Sequence, residues 1–283
     1  MIRIAHFSDI HFSKITLNPF LLFSKRIIGI TNLIINRKKS YSQNHLKAFD
    51  KFLKSLGIDL IFITGDLTST SLKDEFKKAK DFISLLDLQT FIVPGNHDQY
   101  TKNSYKNALF YNFFDNQKGH FSKSLKNEKI EVHELSDKWF YIGLDTCVPS
   151  PFFSCSGFFS KDLENHLLEV LKKIPKEKNI IITNHYPVIH DAKSKITLKR
   201  KEALLEIIKN HPNVKLYLHG HTHKLSFEKI SDSSYMACSG CISYKKNASF
   251  NIVEIEDNSF RIINYALKNN NWEKDQIHKV DLT

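Results

Sequence analysis

Cysteine is scarce in this chain, with four in 283 residues, at Cys147, Cys155, Cys238 and Cys241. Only Cys238 and Cys241 form a C-x-x-C, and without a second matched pair they do not read as a structural zinc site. Two incidental thiols in a reducing compartment are the expectation, with a redox pair as the alternative. No internal repeat or low-complexity tract is present, so no repeat architecture is implied. Acidic residues are missing throughout residues 10–49, where Lys14, Lys25, Arg26, Arg37, Lys38, Lys39 and Lys47 all lie. Most of the formal net charge of +11 therefore sits in one segment. The chain opens directly on a strand-like run, so no signal peptide is expected and the expected compartment is the cytoplasm.

Against these absences stand five short segments, each ending an apolar run with potential metal donors. They are Asp9 and His11, then Gly65 and Asp66, then Gly95 to Asp98 reading G-N-H-D, then Asn184 and His185, and finally Gly220 to His223 reading G-H-T-H. The preceding runs, residues 2–8, 59–64, 90–93, 179–183 and 214–218, are bounded by Gly, Pro and Asn and read as buried strands. In open α/β sheets ligands bind just beyond the carboxyl ends of strands, so five strands would deliver donors to one rim. Glycine at 65, 95 and 220 permits tight turns and close backbone approach. Any one segment alone is an ordinary turn or a satisfied histidine; the five in order carry the reading. Their donors are carboxylate, imidazole and amide without thiolate, a set that suits Mn, Fe, Zn or Mg.

Helical spacing of apolar residues recurs at 44–56, 72–86, 161–174 and 198–208, interleaved with the strand runs, which argues for an α/β fold. Short alternating runs at 225–230, 235–239, 249–255 and 260–267 read as an antiparallel end to it. One domain over residues 1–283 is expected. Residues 100–127, rich in Asn, Lys and Phe, follow the third motif as a cap beside the site or as an exposed helix and loop.

The motif series D-x-H, G-D, G-N-H-[DE], lone His and G-H-x-H resembles that of the calcineurin-like metallophosphoesterases over residues 3–223, with no ligand missing. The resemblance implies a four-layer α/β/β/α sandwich around two metal ions. Asp9, His11, Asp66 and His223 would hold one ion, and Asp66, Asn96, His185 and His221 the other, with the Asp66 carboxylate bridging. Two divalent cations are implied, Mn foremost. Such a pair clamps the attacking oxygen and polarises the phosphoryl group. Asn96 is a neutral donor, so the centre keeps net positive charge for an anionic phosphate. His97 would face the leaving group and Asp98 would fix its tautomer. Hydrolysis by direct in-line attack follows.

The basic segment at 14–40 directs the choice of substrate. On a helical wheel Phe20, Phe23, Ile27, Ile30 and Ile34 share an apolar face, with Lys25, Arg26 and Arg37 opposite. It is too short and too charged to span a bilayer. A helix lying in a membrane interface through residues 19–39 is the first expectation, with Arg37, Lys38 and Lys39 drawn to anionic headgroups. A core or dimer helix is the second, and a nucleic-acid arm the third, weakened by aliphatic rather than stacking side chains. Within the family such an insert resembles the UDP-2,3-diacylglucosamine pyrophosphatases of lipid A precursor synthesis. An amphiphilic phosphate substrate and a peripheral place on the inner membrane face would follow. Hydrolysis of 3′,5′-cyclic nucleotides or another soluble phosphodiester is the rival reading, and a nuclease the weakest.

Overall fold

The computed structural model describes residues 1–16, 25–32, 40–114, 119–149, 154–189 and 197–282. Along the chain run strands β1 (Ile2–Phe7), β2 (Leu60–Ile63), β3 (Gln89–Ile92), β4 (Ile130–Ser136), β5 (Trp139–Leu144), β6 (Gly157–Phe158) and β7 (Asn179–Thr183). They continue as β8 (Leu198–Lys199), β9 (Val214–His219), β10 (Leu225–Lys229), β11 (Tyr235–Ser239), β12 (Ser249–Ile255), β13 (Ser259–Lys268) and β14 (Asn271–Asp281). One six-stranded sheet has the order β14-β13-β12-β1-β2-β3 and a second the order β10-β11-β9-β7-β5-β4, while β6 and β8 pair apart. β1, β2 and β3 run parallel, as do β5, β7, β9 and β11; antiparallel strands extend both sheets.

Alternation along each strand builds the layers. Ile4 and Phe62 face Trp139, Ile181, Leu216 and Leu218 in a core between the two sheets. Their neighbours Ala5, Phe7, Ile61 and Ile63 point the other way, onto helices Phe49–Ser55 and Lys73–Leu86 through Phe49, Phe76 and Phe82. On the second sheet Ile180, Ile182 and Tyr217 face outward onto helices Lys161–Lys173 and Lys201–Asn210 through Leu167, Val170 and Leu204. Both faces of the central strands are thus covered, which is why they read as unbroken apolar runs. The result is the expected α/β/β/α sandwich.

Local signals set the helix ends. Ser160 accepts a hydrogen bond from Leu163 N at 3.1 Å, acidic residues fill the first turn, and Lys172 and Lys173 complement the last. One boundary differs from expectation: Leu198 belongs to a strand paired with Gly157, and the helix begins at Lys201 after Arg200 at φ 61°. The β4–β5 hairpin and β14 lie outside the strand runs expected from the sequence, although Trp139–Leu144 is buried throughout.

The 14–40 segment departs from the interfacial-helix expectation. Its described helix, Arg26–Asn32, is seven residues long, and no helix among the described residues is long and apolar enough to cross a membrane. Arg26, expected to face outward, is only 5 % exposed, with Nε and Nη2 donating to Thr70 O and Ser71 O, each at 3.0 Å. The expected apolar face is itself divided: Ile27 is 52 % exposed and Ile30 is buried. A guanidinium can bury itself when backbone carbonyls replace its water, which a helical wheel does not register. Residues 17–24 and 33–39, with Phe20, Phe23, Ile34, Arg37, Lys38 and Lys39, lie outside the described residues.

In the 100–127 region, Phe110, Tyr111 and Phe114 are buried in the core beside Phe76, so this part packs on the Lys73–Leu86 helix. Residues 115–118 lie outside the described residues.

Candidate metal centre

The carboxyl ends of β1, β2, β3, β7 and β9 meet at one rim, where their turns are tied together by main-chain bonds. Asp9 N donates to Gly65 O at 3.0 Å, His11 N to Asp66 O at 2.9 Å, and Gly220 N to His185 O at 3.1 Å. Every donor expected from the sequence arrives there, in two overlapping groups. In the first, His223 Nε2 lies 2.9 Å from Asp9 Oδ1 and 3.4 Å from His11 Nε2. His11 Nε2 is also 3.8 Å from Asp66 Oδ2. In the second, His185 Nε2 lies 3.1 Å from Asn96 Oδ1, 3.2 Å from His221 Nδ1 and 3.5 Å from the same Asp66 Oδ2.

These separations test whether cations fit. Donors that each sit about 2.0–2.2 Å from one ion lie roughly 3–3.6 Å from one another. The observed spacings fall close to that interval, and lone pairs of buried imidazoles converge where a cation would satisfy them. The remaining atoms of both carboxylates are already engaged. Asp9 Oδ2 accepts from Ser8 Oγ at 2.5 Å and His221 N at 3.1 Å, and Asp66 Oδ1 accepts from His97 N at 2.8 Å. Asp66 Oδ2 is therefore the atom available to both groups. The residues present fit a pair of divalent ions.

The outward ring nitrogens are fixed by partners that no motif announces. His185 Nδ1 lies 2.7 Å from Thr64 O, His97 Nδ1 2.6 Å from Ser69 O, and His223 Nδ1 2.9 Å from Tyr244 Oη and 3.3 Å from Tyr41 Oη. Such partners set which tautomer is present and aim the other nitrogen inward. Asp98 does not perform the orienting task expected of it. Its carboxylate accepts from Gly95 N, Leu67 N and Thr68 N and from the Thr68 hydroxyl, so it clamps the turn, and Ser69 O meets the His97 ring instead. His97 stands within reach of His11 and Asp66, beside the first group.

The rim is strained. Asp9, His11, Asp66, His221 and His223 all have φ between 52° and 65°, the left-handed region that non-glycine residues enter at about 1–3 kcal/mol each. Two glycines allow the packing. A Cβ on Gly95 would come 2.8 Å from Asp66 Cγ, and one on Gly220 would come 2.7 Å from Asp9 Oδ2.

Electrostatics follow from burial and sign. Burial would raise the pKa of Asp66, but His185, His97 and His11 outweigh it and hold the carboxyl well below the usual range; Asp9 is held low by His223 and His11 in the same way. Burial would lower His185, but Asp66 and Asp9 raise it to about 9. Burial and the Asp66 charge push Asp98 up to about 7 against its three main-chain donors.

A calcineurin-like phosphoesterase family model matches residues 2–225. A probable cyclic nucleotide phosphodiesterase of Vesicomyosocius okutanii is 25 % identical over 251 residues, 85 % of this chain and 92 % of that one. A probable glycerophosphodiester phosphodiesterase of Arcobacter nitrofigilis is 27 % identical over 172 residues, 59 % of this chain and 58 % of the relative's length. Among solved structures, a dimetal phosphatase from Danio rerio superposes with a TM-score of 0.67 at 16 % identity, covering 100 % of this chain and 99 % of that one.

Proposed function

This chain belongs to the calcineurin-like phosphoesterase family and is a metal-dependent phosphoesterase, and from that premise we propose that it hydrolyses phosphodiesters of the 3′,5′-cyclic nucleotide type. The observation that carries a two-metal reading is Asp66 Oδ2, placed 3.8 Å from His11 Nε2 and 3.5 Å from His185 Nε2. In this reading Asp9, His11, Asp66 and His223 hold one ion, Asp66, Asn96, His185 and His221 hold the other, and Mn is the ion to load first. When bound, the cations neutralise the phosphoryl oxygens and lower the pKa of water. Asn96 contributes a neutral oxygen, which leaves the pair net positive toward an anionic diester. His97, its Nδ1 committed to Ser69 O, turns Nε2 to the leaving oxygen as proton donor or charge stabiliser. Asp98 keeps the 95–98 turn closed, so that His97 N stays bonded to Asp66. The core shared by the two sheets supports reading residues 1–283 as one domain.

The expected hydrolysis of UDP-2,3-diacylglucosamine does not stand, nor do the role in lipid A synthesis, the amphiphilic substrate and the peripheral membrane location. Relatives aligned over 85 % and 89 % of the chain are named as probable cyclic nucleotide phosphodiesterases, and the basic helix thought to favour lipid docks on the protein through buried Arg26. Room for an organic group exists beside His221, where a cavity of about 440 Å³ has both apolar and charged residues in its lining, Pro187, Leu225 and Met236 with Lys224 and Glu228 among them.

The test offers Mn²⁺-loaded protein 3′,5′-cyclic AMP, a glycerophosphodiester and p-nitrophenyl phosphate in parallel. Faster hydrolysis of the cyclic diester than of the monoester supports the reading. Turnover of the monoester alone refutes it.

A further inference from the structure

The 14–40 segment has a task that neither lipid nor nucleic acid explains: its described helix bears on the residues that hold His97. Gly29 packs so closely that a Cβ there would lie 2.7 Å from Thr70 Cγ2 and 3.1 Å from Tyr100 Oη. Lys25 Nζ lies 4.8 Å from the centre of the Tyr100 ring. Tyr100, only 5 % exposed, is stacked on the His97 imidazole with 5.2 Å between ring centres and 11° between planes. That is the offset arrangement aromatic rings favour. Arg26, on the same helix, grips Thr70 O and Ser71 O.

The segment so gripped supplies the other restraints on His97. Ser69 O meets Nδ1 at 2.6 Å, Ser71 Oγ donates to His97 O at 2.8 Å and accepts from Tyr100 N at 2.9 Å, and Thr68 Oγ1 donates to His97 O at 2.9 Å. His97 is therefore held at its backbone, at one ring nitrogen and on one ring face. Helix Arg26–Asn32 presses on the elements that provide the second and third of these.

We infer that Tyr100, backed by Lys25 and Gly29 of the basic segment, is a positioning residue that sets the plane of the His97 ring for the leaving group. The inference rests on the proposed role of His97 in phosphodiester hydrolysis. An imidazole that must meet a leaving oxygen within hydrogen-bond range tolerates little rotation, and a misplacement of about 1 Å can lower a rate by roughly 10²-fold. Removing the stacked ring takes away the contact that fixes the ring plane, so the imidazole can tilt about Ser69 O and against the edge-on His11 ring 5.0 Å away.

The test compares Tyr100→Ala, Tyr100→Phe, Gly29→Val and His97→Ala on two diesters, one with a p-nitrophenolate leaving group and one with an alkoxide. Bound metal is measured, and the imidazole ¹⁵N–¹H spectrum of the Zn²⁺-loaded protein is recorded. Expected for Tyr100→Ala is a loss of about 10- to 100-fold on the alkoxide substrate, a much smaller loss on the p-nitrophenyl substrate, both metals retained and a shifted His97 signal. Tyr100→Phe keeps the stack and should recover most of the rate; Gly29→Val, which displaces the helix, should resemble Tyr100→Ala. Equal losses on both substrates, an unshifted His97 signal, or lost metal in Tyr100→Ala overturns the inference. If His97→Ala itself shows no leaving-group dependence, the proposed role of His97 fails, and the spectrum still reports whether Tyr100 sets its ring.

Discussion

Gly95→Ala is a small perturbation with a large expected effect, because of what the new methyl group meets. Its Cβ would lie 2.8 Å from Asp66 Cγ, and nearer still to Asp66 Oδ1 and N. Carbon atoms pack at about 3.5–4.0 Å, so relieving the Asp66 Cγ contact alone requires the carboxylate or the 95–98 turn to move by roughly 0.7–1.2 Å, and the nearer contacts require no less. Asp66 Oδ1 cannot simply swing away, since it accepts from His97 N. Metal–donor distances are tolerated within about ±0.2 Å, so the displacement exceeds what a shared oxygen can absorb. Both ions should weaken together, by at least about the 10–100-fold seen when a ligand's supporting shell is disturbed. Overpacking should cost the fold only about 1–3 kcal/mol. Titration of chelated protein with Mn²⁺, alongside thermal unfolding of the metal-free form, separates the two effects. Two ions bound at wild-type affinity in Gly95→Ala would refute the steric argument and the bridging role of Asp66 with it.

Asp66→Ala removes the donor common to both groups and should be the most damaging single change; wild-type turnover after chelation and metal re-addition would exclude a dinuclear centre. Tyr244→Phe deletes the hydroxyl 2.9 Å from His223 Nδ1 and should weaken one ion by about 10–100-fold while sparing the other, and Tyr41→Phe, at 3.3 Å, should do less. Equal weakening of both ions in stepwise metal titrations would contradict this. Metal binding should also release protons. With its pKa raised to about 9, His185 contributes stability to the metal-free fold that is full below its unfolded value near 6.5 and lost as pH rises through 9. A cation must displace that proton, so affinity should climb with pH across the same window. Calorimetry at pH 7.5 in buffers of different ionisation enthalpy measures the release, and identical heats would rule it out.

What the sequence made legible divides along a physical line. Strand runs ending in Asp, Asn and His announce an α/β fold and the residues that meet at its rim, and the family resemblance adds the four layers, because side-chain identity there is itself the chemistry. The partners that aim those donors were invisible for the opposite reason. Thr64 O and Ser69 O are backbone carbonyls, which any residue would supply, and only the fold brings them to His185 and His97. Tyr41 and Tyr244 lie far apart in the chain and meet through a main-chain bridge, with Lys245 N donating to Ser40 O and Ser42 N to Ser243 O. The hairpin at 130–144 is within reach of the same logic, since its second strand is an apolar run ending at an acid, Asp145; that carboxylate carries no motif and is taken up by Gln99, Tyr111 and Lys129 instead of joining the rim. The basic segment misled through its wheel, which sorts residues by hydropathy and cannot tell a lipid phase from a protein surface carrying exposed carbonyls. Arg26 shows the difference. Two carbonyl oxygens at 3.0 Å replace its water, and the charge that suggested a headgroup instead fixes the helix against Thr70 and Ser71, next to Tyr100 and the His97 ring.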